Sequence, residues 1–344
     1  MVLNACRKND SFLLKDEQMN LLITGINGFV GCALAESLLR LGGHVNGTVR
    51  LLGKRNSFIP AGAKIYATGE INEETAWGKA LHGVEVVVHL AARVHFVEDL
   101  SEDPPTEFRL VNTIGTEHLA EQAAQAGVKR FVYLSSIKVN GEQTFEQPFT
   151  ETAPYHPADQ YAASKVEAEK LLKKISGKTG MEVVIIRPPL IYGPGVKANF
   201  YKMMHWLDKG FPLPLGAIQN KRSLVALDNL ISLIAICVEH PAAANQTFLV
   251  SDGDDLSTTD LLQHLMATLG SSVCLLPVPQ CLLKFCLGIL GKGHLAQRLC
   301  GSLQVDISKA KNVLGWRPPI TVKEGLKVAA EWYLGEKIVL SNGE

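Results

Sequence analysis

The sequence predicts an α/β fold: a doubly wound parallel sheet with helices on both faces. Three observations predict it. Short apolar runs alternate with longer stretches of helical spacing. Several runs, among them Val86-Val-Val-His-Leu90, lack the polar alternation of a strand with one wet face. The first run leads directly into Gly25-Ile-Asn-Gly28-Phe-Val-Gly31, a glycine turn that opens a helix.

In chain order the strands are expected at Asn20 to Thr24, Val45 to Val49, Lys64 to Ala67, Glu85 to Leu90, Arg130 to Ser135 and Glu182 to Arg187. Between them, Phe29 to Leu41, Pro105 to Ala126 and Asp159 to Lys174 have helical length and spacing. Strands separated by helices of this size pair in parallel, because only a crossover helix returns the chain to the same edge. After Pro188-Pro189 the texture changes to proline- and glycine-rich segments such as Gly193-Pro-Gly195 and Phe211-Pro-Leu-Pro-Leu-Gly216. That change marks a smaller, loop-rich portion suited to holding a substrate. Later strands at Ser223 to Leu227 and Thr247 to Val250 are expected to return to the main sheet, so that the portions interleave. The expected division is a leader at 1–18, a dinucleotide-binding domain at 19–190 and a substrate-binding portion at 191–344.

At 344 residues, 47% hydrophobic and 20% charged, the chain has material for a large core. Thirty-four basic residues balance 34 acidic ones, which gives no net field for nucleic acid or an anionic membrane. Seven scattered cysteines without a CxxC pair argue against a disulfide framework and a zinc site, and fit a reduced, cytoplasmic setting. Residues 1–18 do not resemble a secretory signal; they read as a frayed leader or as an over-long start ahead of Met19. The one membrane-like stretch, Cys274 to Gly291, is broken by Pro277, Pro279 and Lys284. It is expected to be a buried or substrate-covering helix in preference to a membrane contact, with peripheral attachment as the alternative and no integral membrane segment.

The glycine turn lets backbone N–H groups approach a pyrophosphate while the helix N-terminus favours its charge. A tight turn with no ligand would use the same glycines. At the end of the second strand stands Arg50, with Lys54 and Arg55 following, where an acid would accept bonds from the ribose hydroxyls of NAD. An arginine there can pair with a 2'-phosphate, so NADP(H) is expected over NAD(H), although a strand-end arginine is also ordinary surface. Glu70, after the third strand, is a candidate for the adenine edge. Tyr161 and Lys165 lie one turn apart on a helix that follows the strand ending in Ser135-Ser136. In that arrangement Tyr161 exchanges a proton with a sugar hydroxyl or ketone, Ser136 holds the oxygen, and Lys165 depresses the tyrosine pKa and binds the nicotinamide ribose. Tyr333 and Lys337 repeat the spacing without an upstream serine pair and read as a surface helix contact.

These residues resemble the extended short-chain dehydrogenase/reductase family, and within it the nucleotide-sugar epimerases, dehydratases and C4 reductases. The resemblance runs from residue 20 to about 335. It rests on Thr24-Gly25-Ile-Asn-Gly28-Phe-Val-Gly31, His89-Leu-Ala-Ala92, Val111-Asn112-Thr-Ile-Gly115-Thr116, Ser135-Ser136, Tyr161-Ala-Ala-Ser-Lys165, Arg187-Pro188 and Ile191-Tyr-Gly-Pro194. The late segments Asp306 to Ala310 and Leu314 to Pro318 are similar to the family's closing helices.

The resemblance implies a Rossmann domain and a catalytic set of Ser136, Tyr161 and Lys165. Coenzyme contacts are implied from Gly25, Asn27, Gly28, Phe29, Val30, Gly31, Leu90, Ala91, Ala92 and Pro188, with Arg50, Tyr161 and Lys165. Asn112 would support the active-site backbone, and Arg222 would grip the diphosphate of a UDP-sugar. The family's common RxxN reads Arg187-Pro-Pro-Leu190 here, and Asn199 is the expected substitute for the missing asparagine. Where the family has Tyr-Gly after the serine, this chain has Asn140-Gly141. Ile137-Lys138 after Ser136 replaces the acid pair of a dehydratase. The resemblance implies a UDP-linked sugar and a role in surface polysaccharide synthesis, and Arg50, by favouring an NADPH pool suited to net reduction, tilts the expected activity to reduction of a UDP-linked 4-keto sugar. The alternatives are a UDP-sugar 4-epimerase with retained NAD and a non-catalytic NAD(P)-sensing protein. A homodimer through the two long helices is implied by resemblance alone.

Overall fold

In the computed structural model, residues 19–53, 58–94 and 104–341 are described. The leader, Lys54 and Arg55 lie outside them. The first half runs β1 (Asn20–Thr24), α1 (Phe29–Arg40), β2 (His44–Val49), β3 (Lys64–Ala67), α2 (Gly78–Leu81), β4 (Val86–His89), α3 (Pro104–Arg109), α4 (Gly115–Gln125), β5 (Arg130–Leu134), α5 (Gln160–Thr179) and β6 (Glu182–Arg187). The second runs β7 (Leu190–Tyr192), α6 (Ala198–Asp208), β8 (Leu224–Ala226), α7 (Leu227–Glu239), β9 (Thr247–Leu249), α8 (Thr258–Leu269), α9 (Gln280–Ile289), α10 (Gly293–Cys300), α11 (Ser308–Leu314) and α12 (Val322–Ser341).

The predicted doubly wound sheet is present: seven strands in the order β3-β2-β1-β4-β5-β6-β9, every pair parallel. Successive residues of each central strand feed opposite layers, since side chains alternate across a pleat. Leu21, Ile23, Val88, Val132 and Val184 pack under α1 and α7, whereas Leu22, Val87, Phe131 and Val183 pack under α4 and α5. With both faces buried, a polar alternation would place unpaired groups in the core, which is why these strands read as continuous apolar runs. The strand order reverses between β1 and β4, and the carboxyl ends of β1, β4 and β5 open at that switch point.

Of the two later strands expected in the main sheet, β9 joins it beside β6. The other, β8, pairs with β7 in a separate two-stranded sheet. Strand β7 was not expected; three residues after a Pro-Pro pair leave too short a pattern to read. A third apolar cluster lies in this half, where Phe200, Met204 and Leu207 of α6 meet Leu262 and Leu265 of α8 and Leu326 and Ala330 of α12. The expected continuous helix over 105–126 is interrupted by a π-helical segment, Leu110–Ile114, between α3 and α4. The C-terminal Tyr333–Lys337 pair is less superficial than expected. Tyr333 is buried, and Lys337 donates to both carboxylate oxygens of Asp208 at 3.0 and 2.8 Å, which fastens α12 to α6.

Candidate active site

The glycine turn sits at the switch point. Gly25 has φ +68°, and a Cβ there would stand 3.0 Å from the Ala91 Cα, so the first turn and the loop after β4 touch through backbone. A Cβ on Gly31 would overlap the Gly25 carbonyl oxygen, which fixes the start of α1 against the turn. Gly28 is the N-cap of α1 and no side chain caps that end. Asn27 and Gly28 are exposed, Phe29 is half-buried against the cores of both halves, and Val30 packs inward. The turn therefore offers a helix N-terminus and a glycine-lined concavity bordered, among the described residues, by half-buried Leu90, Ala91 and Ala92, which fits a dinucleotide pyrophosphate. Val30, buried in the core, contributes packing there.

The loop after β4 is held by a chain of hydrogen bonds whose direction can be assigned. The Thr24 hydroxyl accepts from the backbone N–H groups of Leu90 and Ala91, both at 3.2 Å, so its own proton goes to His89 Nδ1 at 2.6 Å. Burial pushes the His89 pKa down to about 3, so the ring is neutral and its remaining proton is on Nε2. That N–H donates to Thr116 Oγ1 at 2.9 Å, and the Thr116 hydroxyl donates to the Asn112 carbonyl at 2.8 Å. The Asn112 side chain, set in the π segment, exchanges two bonds with the Arg93 backbone and donates to Ser164 Oγ at 3.1 Å. Ser164 in turn donates to the Tyr161 carbonyl at 2.7 Å. One polar chain thus connects the first glycine strand to the helix that carries Tyr161 and Lys165.

Ser136 caps a single 3-10 turn, Ile137–Val139, its Oγ accepting from Lys138 N at 3.2 Å. The Ile137 N–H donates to the carbonyl of buried Pro188 at 2.9 Å. Lys138 reaches across to Asp159 at 2.6 Å, and Asp159 is the N-cap of α5, accepting from Ala162 N at 2.7 Å. The serine turn and the start of the tyrosine helix are therefore tied by an ion pair. Sequence reasoning missed this role of Lys138, which it used only to argue against a dehydratase.

Tyr161 is half-buried, its ring edge-on to Phe108 at 6.3 Å. Lys165 is buried, its ammonium donating to the Leu134 carbonyl at 3.0 Å and lying 4.6 Å from the centre of the Tyr133 ring. The expected depression of the tyrosine pKa is not what these surroundings give. Burial, with Asp159 nearby, pushes Tyr161 up to about 12, and burial pushes Lys165 down to about 7. The reason is placement: the ammonium is 5.9 Å from the Tyr161 ring centre and is directed at the sheet carbonyl.

Beneath this pair, one turn further along α5, is a group that the sequence did not single out. Glu169 is fully buried and accepts from Ser135 Oγ at 2.6 Å, from the Tyr155 hydroxyl at 2.8 Å and from Arg187 at 2.9 and 2.6 Å. Its charge raises the Lys165 pKa against the larger effect of burial. The spacing Tyr161, Lys165, Glu169 on one face was the available signal.

The remaining expected residues separate. Arg222 donates to the carbonyls of Arg298 and Gly301, both at 3.1 Å; burial and the Arg298 charge lower its pKa, with Glu142 acting against them. Glu142 also pairs with Lys138 at 3.2 Å, so Arg222 lies by the loop that follows Ser136. Asn199 is exposed in the first turn of α6, and among the described residues no hydrogen bond connects it to this group. Arg50 pairs with Glu70 at 3.1 Å, both side chains 68% exposed. The strand-end arginine expected to meet a 2'-phosphate has a carboxylate partner instead, and Glu70 is occupied by it.

The geometry agrees with what the chain is similar to. The family model described as the NAD dependent epimerase/dehydratase family matches residues 21–251. A UDP-glucose 4-epimerase of Vibrio cholerae is 46% identical over 318 residues, covering 92% of this chain and 95% of the relative. The crystal structure of a UDP-glucose 4-epimerase with UDP-glucose from Thermotoga maritima superposes with a TM-score of 0.74 at 23% identity, covering 93% of this chain and all of that one. A UDP-glucuronic acid 4-epimerase from Bacillus cereus in complex with NAD gives 0.74 at 20% identity, over 92% and 99% of the two chains. With the glycine turn at the switch point and a family match across both the sheet and the start of the second half, the chain belongs to the NAD dependent epimerase/dehydratase family.

Proposed function

We propose that the chain is a 4-epimerase of a UDP-linked hexose or N-acetylhexosamine that keeps NAD bound through each turnover. The observation that carries the choice over a 4-keto reductase is the Arg50–Glu70 pair. The case for a reductase rested on Arg50 reading a 2'-phosphate, and a guanidinium already facing a carboxylate is poorly placed to select NADPH. The name of the 46% identical relative supports the same reading. The Lys138–Asp159 bridge beside Ser136 stands where a dehydratase would set its acid pair, which favours chemistry without loss of water.

In this reading the glycine turn and the loop at Leu90 to Ala92 hold the dinucleotide. NAD, when bound there, would supply the hydride acceptor for the sugar C4 and the hydride that returns to it. Tyr161 takes the proton of the C4 hydroxyl and gives it back after the 4-keto sugar has turned its other face, and Ser136 Oγ holds that oxygen throughout. Lys165 binds the nicotinamide ribose, and the neutral His89 chain keeps the coenzyme loop in register with α5. Arg222 pairs with the diphosphate.

The test is the coenzyme carried by the purified protein. NAD held near one per chain, with interconversion of UDP-glucose and UDP-galactose or their N-acetylated forms, supports the epimerase. An empty site that prefers NADPH, with turnover of UDP-4-keto sugars, overturns it in favour of the reductase.

A further inference from the structure

We infer that the outer face of α9 and α10 is a docking surface for an anionic lipid bilayer. Helix α9 carries two apolar stripes. Leu283 and Leu287 turn inward onto the core of the second half. Leu282, Phe285, Cys286 and Ile289, spaced i, i+3, i+4, i+7, turn outward, and Phe285 and Ile289 are 65% and 71% exposed. Leu290 follows at 67%. An outward stripe of that regularity is unlike the single exposed apolar residues of an ordinary surface, and it needs a cover. Among the described residues, the expected buried or substrate-covering helix over Cys274 to Gly291 is thus only half covered.

Charge identifies the cover. Between Asp260 and Asp306 the sequence has no acidic residue, while Lys284, Lys292 and Arg298 all stand exposed on or beside the two helices. Apolar residues flanked by cations on a helix lying flat are what an anionic lipid surface takes up. A second copy of the chain fits less well, because a two-fold contact of this stripe with itself would set Lys284 and Lys292 against their own copies without an acid on the segment to pair them. Ahead of α9, Leu275 is bridged by Leu213, and two residues before Leu213 exposed Phe211 lies 6.4 Å from exposed Trp206. The surface adjoins the site, since the end of α10 supplies the Arg298 and Gly301 carbonyls that hold Arg222.

The test is flotation of the full chain with vesicles of phosphatidylcholine alone and with a quarter phosphatidylglycerol, alongside its mass in solution. The wild type is expected to float with the anionic vesicles and hardly at all with the neutral ones. Phe285→Gln with Ile289→Gln is expected to weaken that partitioning by about tenfold per side chain, and Lys284→Gln with Lys292→Gln by about fivefold per charge. Neither pair touches the proposed catalytic set, so turnover of soluble UDP-sugar should be unchanged, and vesicle binding is read independently of the epimerase assignment. A wild type that stays in solution, or floats equally with both vesicles, overturns the inference. So does a dimer that the Phe285/Ile289 variant converts to monomer without any vesicle binding, since the face would then be a contact between copies.

Discussion

Glu169→Gln is the sharpest test of how the candidate site is supported. The Glu169–Arg187 pair is bidentate, at 2.6 and 2.9 Å, with the side chains 0% and 2% exposed. Glutamine keeps the shape but loses the charge, and it presents an amide N–H₂ to a pocket whose other members, Ser135, Tyr155 and Arg187, are already donating. The Arg187 guanidinium is left buried without its counter-charge, at a cost of about 3–5 kcal/mol. For a chain of this length that corresponds to a fall in Tm on the order of 6–10 °C. Glu169→Leu combined with Arg187→Met removes both charges and should recover much of the loss, because the attraction within a buried pair only roughly offsets the desolvation of its members. Thermal and denaturant unfolding of the two single variants and the double would give the coupling directly. A single-variant loss under about 1 kcal/mol, with the double merely additive, would refute the account of a desolvated pair.

The same variant has a second readout. Glu169 is the group that raises Lys165. Its neutralisation should let Lys165 lose its proton at lower pH, moving the alkaline limb of kcat downward. A purely structural Glu169 would lower stability and leave the limb in place.

Four further outcomes are expected. Tyr161→Phe should reduce kcat by roughly 10²–10⁴-fold while the protein still purifies with its coenzyme, measured by turnover and by release of bound nucleotide. Arg50→Ala should leave coenzyme identity and content unchanged, since Glu70 is its partner; a shift from NADP to NAD in binding titrations would restore the 2'-phosphate reading. Gly31→Ala should empty the coenzyme site and destabilise the fold together, because the added Cβ falls on the Gly25 carbonyl, and coenzyme content with a melting curve checks both. Lys165 is depressed from 10.5 to about 7, so the unfolded chain binds that proton more tightly and its contribution to stability rises as pH climbs from about 7 towards 10.5. Unfolding measured across that window should show this slope in the wild type and not in Lys165→Met.

The parallel sheet was legible because buried strands announce themselves as unbroken apolar runs, and the glycine turn because only glycine tolerates the Gly25 conformation and the Gly31 contact. The helix bearing Tyr161 and Lys165 was legible from i, i+4 spacing. What spacing cannot carry is direction across the sheet. Whether Lys165 points at Tyr161 or at the Leu134 carbonyl is decided by the depth of α5 against β5, a tertiary distance. Arg50 was misread for the same reason: its partner, Glu70, is 20 residues away and meets it only once β3 lies beside β2. Strand β8 shows the limit for topology, since its three apolar residues fit either sheet and the choice lies in what β7 offers beside it.

The order of groups along α5 also sets a buried ion pair close to the proposed proton-transfer site. Tyr161, Lys165 and Glu169 occupy successive turns of one face, from half-buried phenol to buried ammonium to fully buried carboxylate. Burial brings Lys165 down to about 7 even with Glu169 raising it, and Glu169 is itself bonded by Arg187 at 2.6 and 2.9 Å. Arg187 ends β6, Ser135 follows β5, and both are fixed by the sheet. The charge that raises Lys165 against burial is therefore anchored to the central sheet through Arg187 and Ser135.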